Sequence, residues 1–367
     1  MKLVIFGLSV SSSWGNGHAT LWRGLCAALA RRGHQVVFFE RDVPYYAAHR
    51  DLHELPGGGE LILYSDWEPE LLALGRRHLS DADVGIVTSY CADGIAASQL
   101  VLDSGLPLRV FYDLDSPVTL DRVRAGQPVD YIGPRGLRDF DLVLSYAGGL
   151  ALEELRTLLG ARQVAPLYGS VDPSVHKPAP PDGRYGADLS YLGTYAPDRN
   201  PILQQLFVEP ARRLPSRKFV IGGSMYDASF PWQPNVFFVS HVPPADHPAF
   251  YCSAKLTLNV TRAAMARIGY CPSGRLFEAA ACGAAVLSDY WEGLECFFQP
   301  GSEVLLAANT DEAIAALDRS PEDLARIARA GRDRALAEHT ADARAAQLEA
   351  ILEDARCAGP LPAAAEV

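Results

Sequence analysis

Short apolar runs, each the length of one strand, alternate with amphipathic stretches along most of the chain. Residues 2–6 and 35–39 are such runs. Between them, residues 19–32 carry Leu21, Leu25, Ala28 and Leu29 at helical spacing, with Gly33 placed as a C-terminal cap. That is one β-α-β unit, and the alternation continues. The pattern predicts strands at 84–88, 108–112, 142–145 and 164–167 and helices at 94–104 and 150–159. Uninterrupted apolar strands between helices imply a parallel sheet covered on both faces.

Residues 171–184, VDPSVHKPAPPDGR, break this pattern with four prolines, a composition that reads as a semi-rigid linker. Beyond it the alternation starts afresh. Strands are predicted at 189–192, 219–221, 236–239, 256–260, 285–288 and 304–306, and helices at 202–214, 273–282 and 311–317. Residues 321–356 are rich in Ala, Arg and Glu and read as two helices. The expected fold class is α/β, with two facing Rossmann-like doubly wound domains and a helical C-terminus. The expected boundaries are 1–172 for the first domain, 173–186 for the linker, 187–337 for the second domain, 338–357 for a closing helix and 358–367 for a tail.

Composition narrows the function classes. The chain has 367 residues, 49% hydrophobic and 21% charged, which excludes a disordered or fibrous protein. Lys+Arg 33 against Asp+Glu 44 gives 33 − 44 = −11, so unaided binding of nucleic acid is disfavoured, while a local basic pocket for a small phosphorylated ligand stays open. No run of 18 apolar residues is present, so no transmembrane segment is expected, and the first apolar run reads as a strand rather than a signal peptide. Seven scattered cysteines, none in a CxxC pair, point to a reducing cytoplasm and away from a disulfide framework or a zinc site.

In two doubly wound domains, ligand groups belong in the loops after strands. The first such loop, GLSVSSSWGNGHATLWRG, places Gly15, Asn16 and Gly17 before a helix whose free N–H groups suit an anion or polar ligand. The GxGxxG spacing is absent, with Thr20 at the third glycine position, which argues against a dinucleotide. His18 opens the helix, where the dipole favours a neutral imidazole able to act as a general base toward a hydroxyl. Packing against Trp14 or Trp22 is the plainer alternative. Asp113 and Asp115, after the strand at 108–112, are candidates to orient His18 or to bind sugar hydroxyls. Asp115 also suits the N-cap of a following helix, and Glu40 is a third candidate carboxylate.

The richest stretch is GYCPSGRLFEAAACGAAVLSD, residues 269–289. Ser273 and Gly274 precede a helix whose N-terminus can cradle a diphosphate, and Arg275 adds a guanidinium in its first turn. Glu278 falls on the same face three residues on, and a carboxylate there can accept from both hydroxyls of a ribose. A plain Arg275–Glu278 surface pair is the alternative. Asn259, Thr261 and Arg262 follow one strand and Asp289 to Gly293 another; they are weaker donor-site candidates.

Residues 273–307, SGRLFEAAACGAAVLSDYWEGLECFFQPGSEVLLA, resemble the donor-binding half of GT-B glycosyltransferases, closest to the CgeB-like group named for a spore-coat maturation protein. GSVDPSVHKP (169–178) is similar to the junction that ends the first GT-B domain. YLGTYAPDRNP (191–201) resembles the start of the second, with Arg199 matching a basic residue that reaches the phosphates. EHTADARAAQL (338–348) resembles a closing helix that crosses back to the first domain. Over the N-terminal half the likeness is thinner, mainly the Gly17-His18 pair. The resemblance implies a cytoplasmic, metal-independent, hexosyltransferase-like enzyme, with a nucleotide-diphosphate sugar as donor substrate and no other cofactor. Arg199, Asn259, Ser273, Gly274, Arg275 and Glu278 would hold the donor, and His18, Asp113 and Asp115 would serve an acceptor hydroxyl. Retaining families carry E-x7-E; here Glu278 is the second glutamate and Tyr270 stands at the first. Stereochemistry is therefore unassigned, leaning toward inversion. The DxD letters of Asp113-Leu114-Asp115 lie in the acceptor domain and are read as accidental. A nucleotide-sugar epimerase and a non-catalytic spore or envelope component are the alternatives.

Overall fold

The computed structural model describes residues 1–357, so the tail expected at 358–367 lies outside the described residues. The chain divides into two compact units. Unit 1 comprises Met1–Tyr168 and the helix that starts at Ala341; unit 2 is Gly169–Thr340.

Unit 1 runs β1 (Lys2–Gly7), α1 (Gly17–Arg31), β2 (Gln35–Arg41), α2 (Pro44–Ala47), β3 (Glu60–Tyr64), α3 (Pro69–Leu79), β4 (Val84–Thr88), α4 (Gly94–Leu102), β5 (Leu108–Asp113), α5 (Ser116–Arg124), β6 (Leu142–Ser145), α6 (Leu150–Leu159) and β7 (Val164–Pro166). All seven strands pair in parallel in the order β3-β2-β1-β4-β5-β6-β7. Successive strands proceed one way from β1 and then resume on its other side, so the strand order reverses between β1 and β4. That reversal opens a ligand crevice at the carboxyl ends of these two strands.

Unit 2 repeats the plan. It runs β8 (Ala187–Leu192), α7 (Asn200–Leu203), α8 (Glu209–Arg213), β9 (Phe219–Gly222), β10 (Val236–Val239), α9 (His247–Cys252), β11 (Ala254–Asn259), α10 (Ala263–Ile268), α11 (Gly274–Ala281), β12 (Val286–Ser288), β13 (Leu305–Leu306), α12 (Thr310–Leu317) and α13 (Pro321–Glu338). Its parallel order is β10-β9-β8-β11-β12-β13, so the switch point falls between β8 and β11. The helix expected at 202–214 is interrupted by a π-turn over Gln204–Val208. Pro210, which has no N–H to give to the preceding turn, lies just beyond it.

The last helix, α14 (Ala341–Cys357), belongs to the core of unit 1. Ala341, Ala345, Leu348, Leu352 and Ala355 share one face and pack with Leu21, Leu25 and Leu29 of α1 in a single apolar cluster. Arg31 pairs with Asp342 at 3.0 Å, and Arg32 and His34 both meet Glu349. No helix among the described residues is long and apolar enough to cross a membrane.

The proline-rich segment is not a free linker. Asp182 N–H donates to Ser253 Oγ at 2.7 Å, the buried Tyr185 reaches Asp246 at 3.0 Å, and Val171 bridges to Thr340, so residues 173–186 pack on unit 2. The prolines stiffen a strap held by side chains and turns that composition does not reveal.

Candidate functional site

In unit 1, the loop after β1 is organised by Glu40 at the end of β2. Its buried carboxylate accepts from Ser9 Oγ (2.8 Å), Val10 N (2.7 Å), Ser11 N (2.9 Å) and Ser11 Oγ (2.6 Å). With four donors on two oxygens it has no capacity left for a ligand, so this third candidate carboxylate is a loop anchor. Asn16 is also committed. Its Oδ1 caps α1 by accepting from His18 N at 3.0 Å, and its Nδ2 donates to the Ser9 and Ser12 carbonyls. Gly15 adopts φ +60°, and a Cβ at Gly17 would meet nothing within 4 Å, leaving the helix entrance open.

His18 then faces Asp115. Nε2 and Oδ2 are 2.7 Å apart, and both side chains are mostly buried. Asp115 holds the N-cap position of α5, yet its side chain makes no capping bond. That resolves the ambiguity in the sequence: the carboxylate turns to the imidazole instead of its own helix. A carboxylate at Nε2 fixes the proton there, which makes Nδ1 the basic nitrogen. Nδ1 is buried without a partner among the described residues.

Of the two candidate carboxylates, Asp113 is not the one that meets His18. Its side chain is fully buried, with Oδ1 accepting from Asp115 N (3.0 Å) and Thr119 Oγ1 (3.1 Å) and Oδ2 unpartnered. Burial pushes its carboxyl up to about 7, and the neighbouring Asp115 charge adds to the shift. The strand's last residue points into the core, and the next residue but one turns outward.

In unit 2 the guanidinium of Arg275 bridges the switch point. Its Nε donates to the Leu192 carbonyl at the end of β8, and Nη1 donates to Asn259 Oδ1 at 3.0 Å, at the end of β11. The Tyr191 ring lies beneath it at 5.2 Å. A Cβ at Gly193 would sit 2.8 Å from Arg275 Nη2 and from the Tyr191 hydroxyl, so any larger residue there must displace one of them. Arg199 reaches the Thr194 carbonyl at 3.3 Å, and its Nε is buried without a partner. Burial lowers its affinity for a proton, and the charges of Arg275 and Arg262 add to that. Arg262 pairs with Asp198 at 3.2 Å; among the described residues Arg199 and Arg275 pair with no carboxylate. Two unneutralised cations therefore stand beside the N-terminus of α11. Ser273, at its N-cap, makes no side-chain capping bond, the first turn holds no acidic residue, and Gly274 is unobstructed.

Glu278 does not pair with Arg275. Its Oε2 lies 3.4 Å from the Tyr251 hydroxyl and 4.0 Å from His247 Nδ1, while Oε1 lies on the side of Gly274. Burial opposes its ionisation, but the charges of His176, His247 and Arg275 outweigh that and hold it below its ordinary value. Burial pushes His247 itself down to about 4, so at neutral pH it faces Glu278 as a neutral ring. Tyr191, Tyr251, His176 and His247 carry no sequence motif that singled them out. Their roles follow from which strand ends and helices meet. Asp289 is tied to Thr261 N (3.0 Å) and Oγ1 (3.1 Å) and pushed up to about 6 by burial, and Asn259 also donates to Ser288 at 3.0 Å. These strand-end groups hold each other as well as the arginine.

Two parallel doubly wound sheets, each with its ligand edge at a switch point, form an architecture that solved structures share. One match is sucrose-phosphate synthase from Thermosynechococcus elongatus, with TM-score 0.69, 16% identity, 98% of this chain covered and 100% of that one. The fold is that of GT-B glycosyltransferases. HepE from Anabaena in complex with UDP-glucose matches with TM-score 0.70 at 14% identity over 96% of this chain and 100% of that one. An alpha-glucosyltransferase in complex with UDP and a 13-mer DNA matches with TM-score 0.63 at 10% identity, over 96% of this chain and 99% of that one. Residues 199–350 match a family model described as glycosyl transferase-like. No curated protein matches the chain in sequence. In this chain, the matched segment begins at Arg199 and contains Asn259, Arg275 and Glu278.

Proposed function

We propose that this chain transfers a sugar from a nucleotide-diphosphate donor to an acceptor hydroxyl. The observation that carries the reading is the pair of arginines at the β8–β11 switch point. Unneutralised guanidiniums next to an uncapped helix N-terminus are costly unless an anion completes them, and a diphosphate fits. Arg275, Arg199 and the N–H groups after Ser273 would stabilise charge on the departing phosphate, without a metal ion at that position. Glu278 Oε1, on the Gly274 side, would accept from the ribose hydroxyls. In unit 1, Asp115 holds Nε2–H of His18, and Nδ1, covered in the free protein, would take the proton of the attacking hydroxyl once acceptor binding uncovers it. Uridine diphosphate sugars are the first donors to test, because solved structures of this fold hold UDP and UDP-glucose. A hexose is the proposed sugar, and residues 273–307 support a place near the CgeB-like group.

The test is a thermal-shift panel of nucleoside diphosphates and their sugars, followed by nucleotide release in the presence of acceptor extracts. UDP should raise the melting temperature of the wild type and leave Arg275→Ala unchanged. If no nucleotide stabilises the wild type, or if Arg275→Ala keeps the full shift, the donor assignment is wrong.

A further inference from the structure

Three side chains from separate segments of unit 2 converge at one place. His176 comes from the strap before β8, His247 opens α9, and Glu278 lies in the second turn of α11. One ligand atom from each lies within 4.8 Å of the others. His176 Nε2 is 3.4 Å from His247 Nδ1, and Glu278 Oε2 is 4.0 Å from that same Nδ1.

The orientation of His247 is set by its other nitrogen. Nε2 lies 3.2 Å from the Val242 carbonyl, which can only accept, so the ring proton sits on Nε2 and Nδ1 turns a lone pair inward. A metal-binding imidazole is usually held in this way by a backbone carbonyl. The remaining contact, His176 Nε2 to His247 Nδ1, is long for a hydrogen bond, whose ordinary range ends near about 3.2 Å. It is the right length for two nitrogens sharing one ion, since two zinc–nitrogen bonds of about 2.0–2.1 Å at a tetrahedral angle place the nitrogens roughly 3.3 Å apart. Glu278 Oε2, 4.0 Å from His247 Nδ1, must move closer to complete the set at the same bond lengths. Its second oxygen stays on the Gly274 side, so holding an ion and meeting a ribose use different atoms.

We propose that His176, His247 and Glu278 bind one divalent transition-metal ion. Two imidazoles and a carboxylate favour zinc over magnesium or calcium, which prefer all-oxygen sets. The ion ties the strap to α9 and α11 and fixes the rotamer of Glu278. The proposal is independent of the nucleotide reading, since it rests on three side chains and one carbonyl.

Full-length protein is stripped with a chelator, incubated with zinc, passed through a desalting column and assayed for metal, with no nucleotide present. The wild type should retain about one zinc per chain and melt several degrees higher than the stripped form. His176→Gln and Glu278→Gln should lose that zinc and its thermal effect while keeping the circular dichroism of the wild type. Glu278→Gln also covers the case in which a change at buried His176 unfolds the strap. Zinc retained by both folded variants would place the metal elsewhere, on free cysteines such as Cys252, and overturn the assignment. A wild type that retains no zinc above the variants would show a metal-free hydrogen-bonded cluster and overturn it as well.

Discussion

Asp115 stands at the N-cap of α5 but gives its carboxylate to His18, 97 residues away, at 2.7 Å. A cap usually adds about 1 kcal/mol to its helix. Forgoing it for an imidazole is the pattern of an orienting acid behind a base.

His18→Ala should therefore lower kcat by about 10²–10⁴-fold. Asp115→Asn should give a comparable loss, because an amide N–H facing Nε2 moves the ring proton to Nδ1 and removes the lone pair there. KM for the donor should be unchanged in both, since both residues lie in unit 1 and the proposed donor residues lie in unit 2. Steady-state kinetics with a fixed acceptor decides; full activity in His18→Ala removes it as the base.

Arg275 acts through a planar fork on Leu192 O, Asn259 and the Tyr191 ring, so Arg275→Lys should not rescue what Arg275→Ala loses. A charge-assisted contact of about 1.5–3 kcal/mol corresponds to a drop of roughly 10- to 150-fold in nucleotide affinity. Calorimetric titration with UDP reads it directly. Affinity in the lysine variant equal to wild type would mean that only the charge matters.

Gly193→Ala tests the same geometry without touching the arginine. The new Cβ, 2.8 Å from Nη2 and from the Tyr191 hydroxyl, must displace one of them. UDP affinity should fall by about tenfold or more, for roughly 1.4 kcal/mol of misplaced contact, while the chain remains folded. Unchanged affinity would show that the guanidinium is free to move.

The folded chain holds the Asp113 proton more tightly than the unfolded chain does, because burial pushes the group from 3.8 to about 7. Between those values the native state binds more protons than the unfolded one, so stability falls as pH rises from about 4 to about 7 and is level above. Three units correspond to a ceiling of about 4 kcal/mol. Asp113→Asn keeps an acceptor for Asp115 N and Thr119, and should flatten this part of the profile in urea melts taken across the range.

Much of the fold was legible because buried parallel strands such as Val84–Thr88 and Leu142–Ser145 are unbroken apolar runs with the observed boundaries. β3 was not, although residues 61–64 are such a run; it is an edge strand and half exposed. α3 was disguised by Gly75 in the middle of its buried stripe, where a Cβ would press on Leu100 at 2.8 Å. α9 and α10, at six residues each, are shorter than two helical turns and show no period. In the site, Arg275 and Glu278 stood out by residue type, but their partners did not. Whether Arg275 pairs with Glu278 or spans two strand ends depends on side-chain direction. Whether Asp113 or Asp115 meets His18 depends on which carboxylate the end of β5 turns into the core.

The helix α14 supplies five buried side chains to a cluster whose other members precede residue 169. Leu352→Ala, at a position with no exposure, should cost about 2–5 kcal/mol and lower the urea midpoint of unit 1.

The order of synthesis gives that placement a temporal meaning. Unit 1 is nearly all made before Gly169, yet its hydrophobic face stays open until Ala341–Cys357 has left the ribosome. At about 5–20 residues per second, the intervening 169–340 segment delays closure by roughly 10–35 s. Unit 2, continuous in the chain, can fold first during that interval, and a nascent N-terminal half waits with Leu21, Leu25 and Leu29 uncovered, as a client for chaperones.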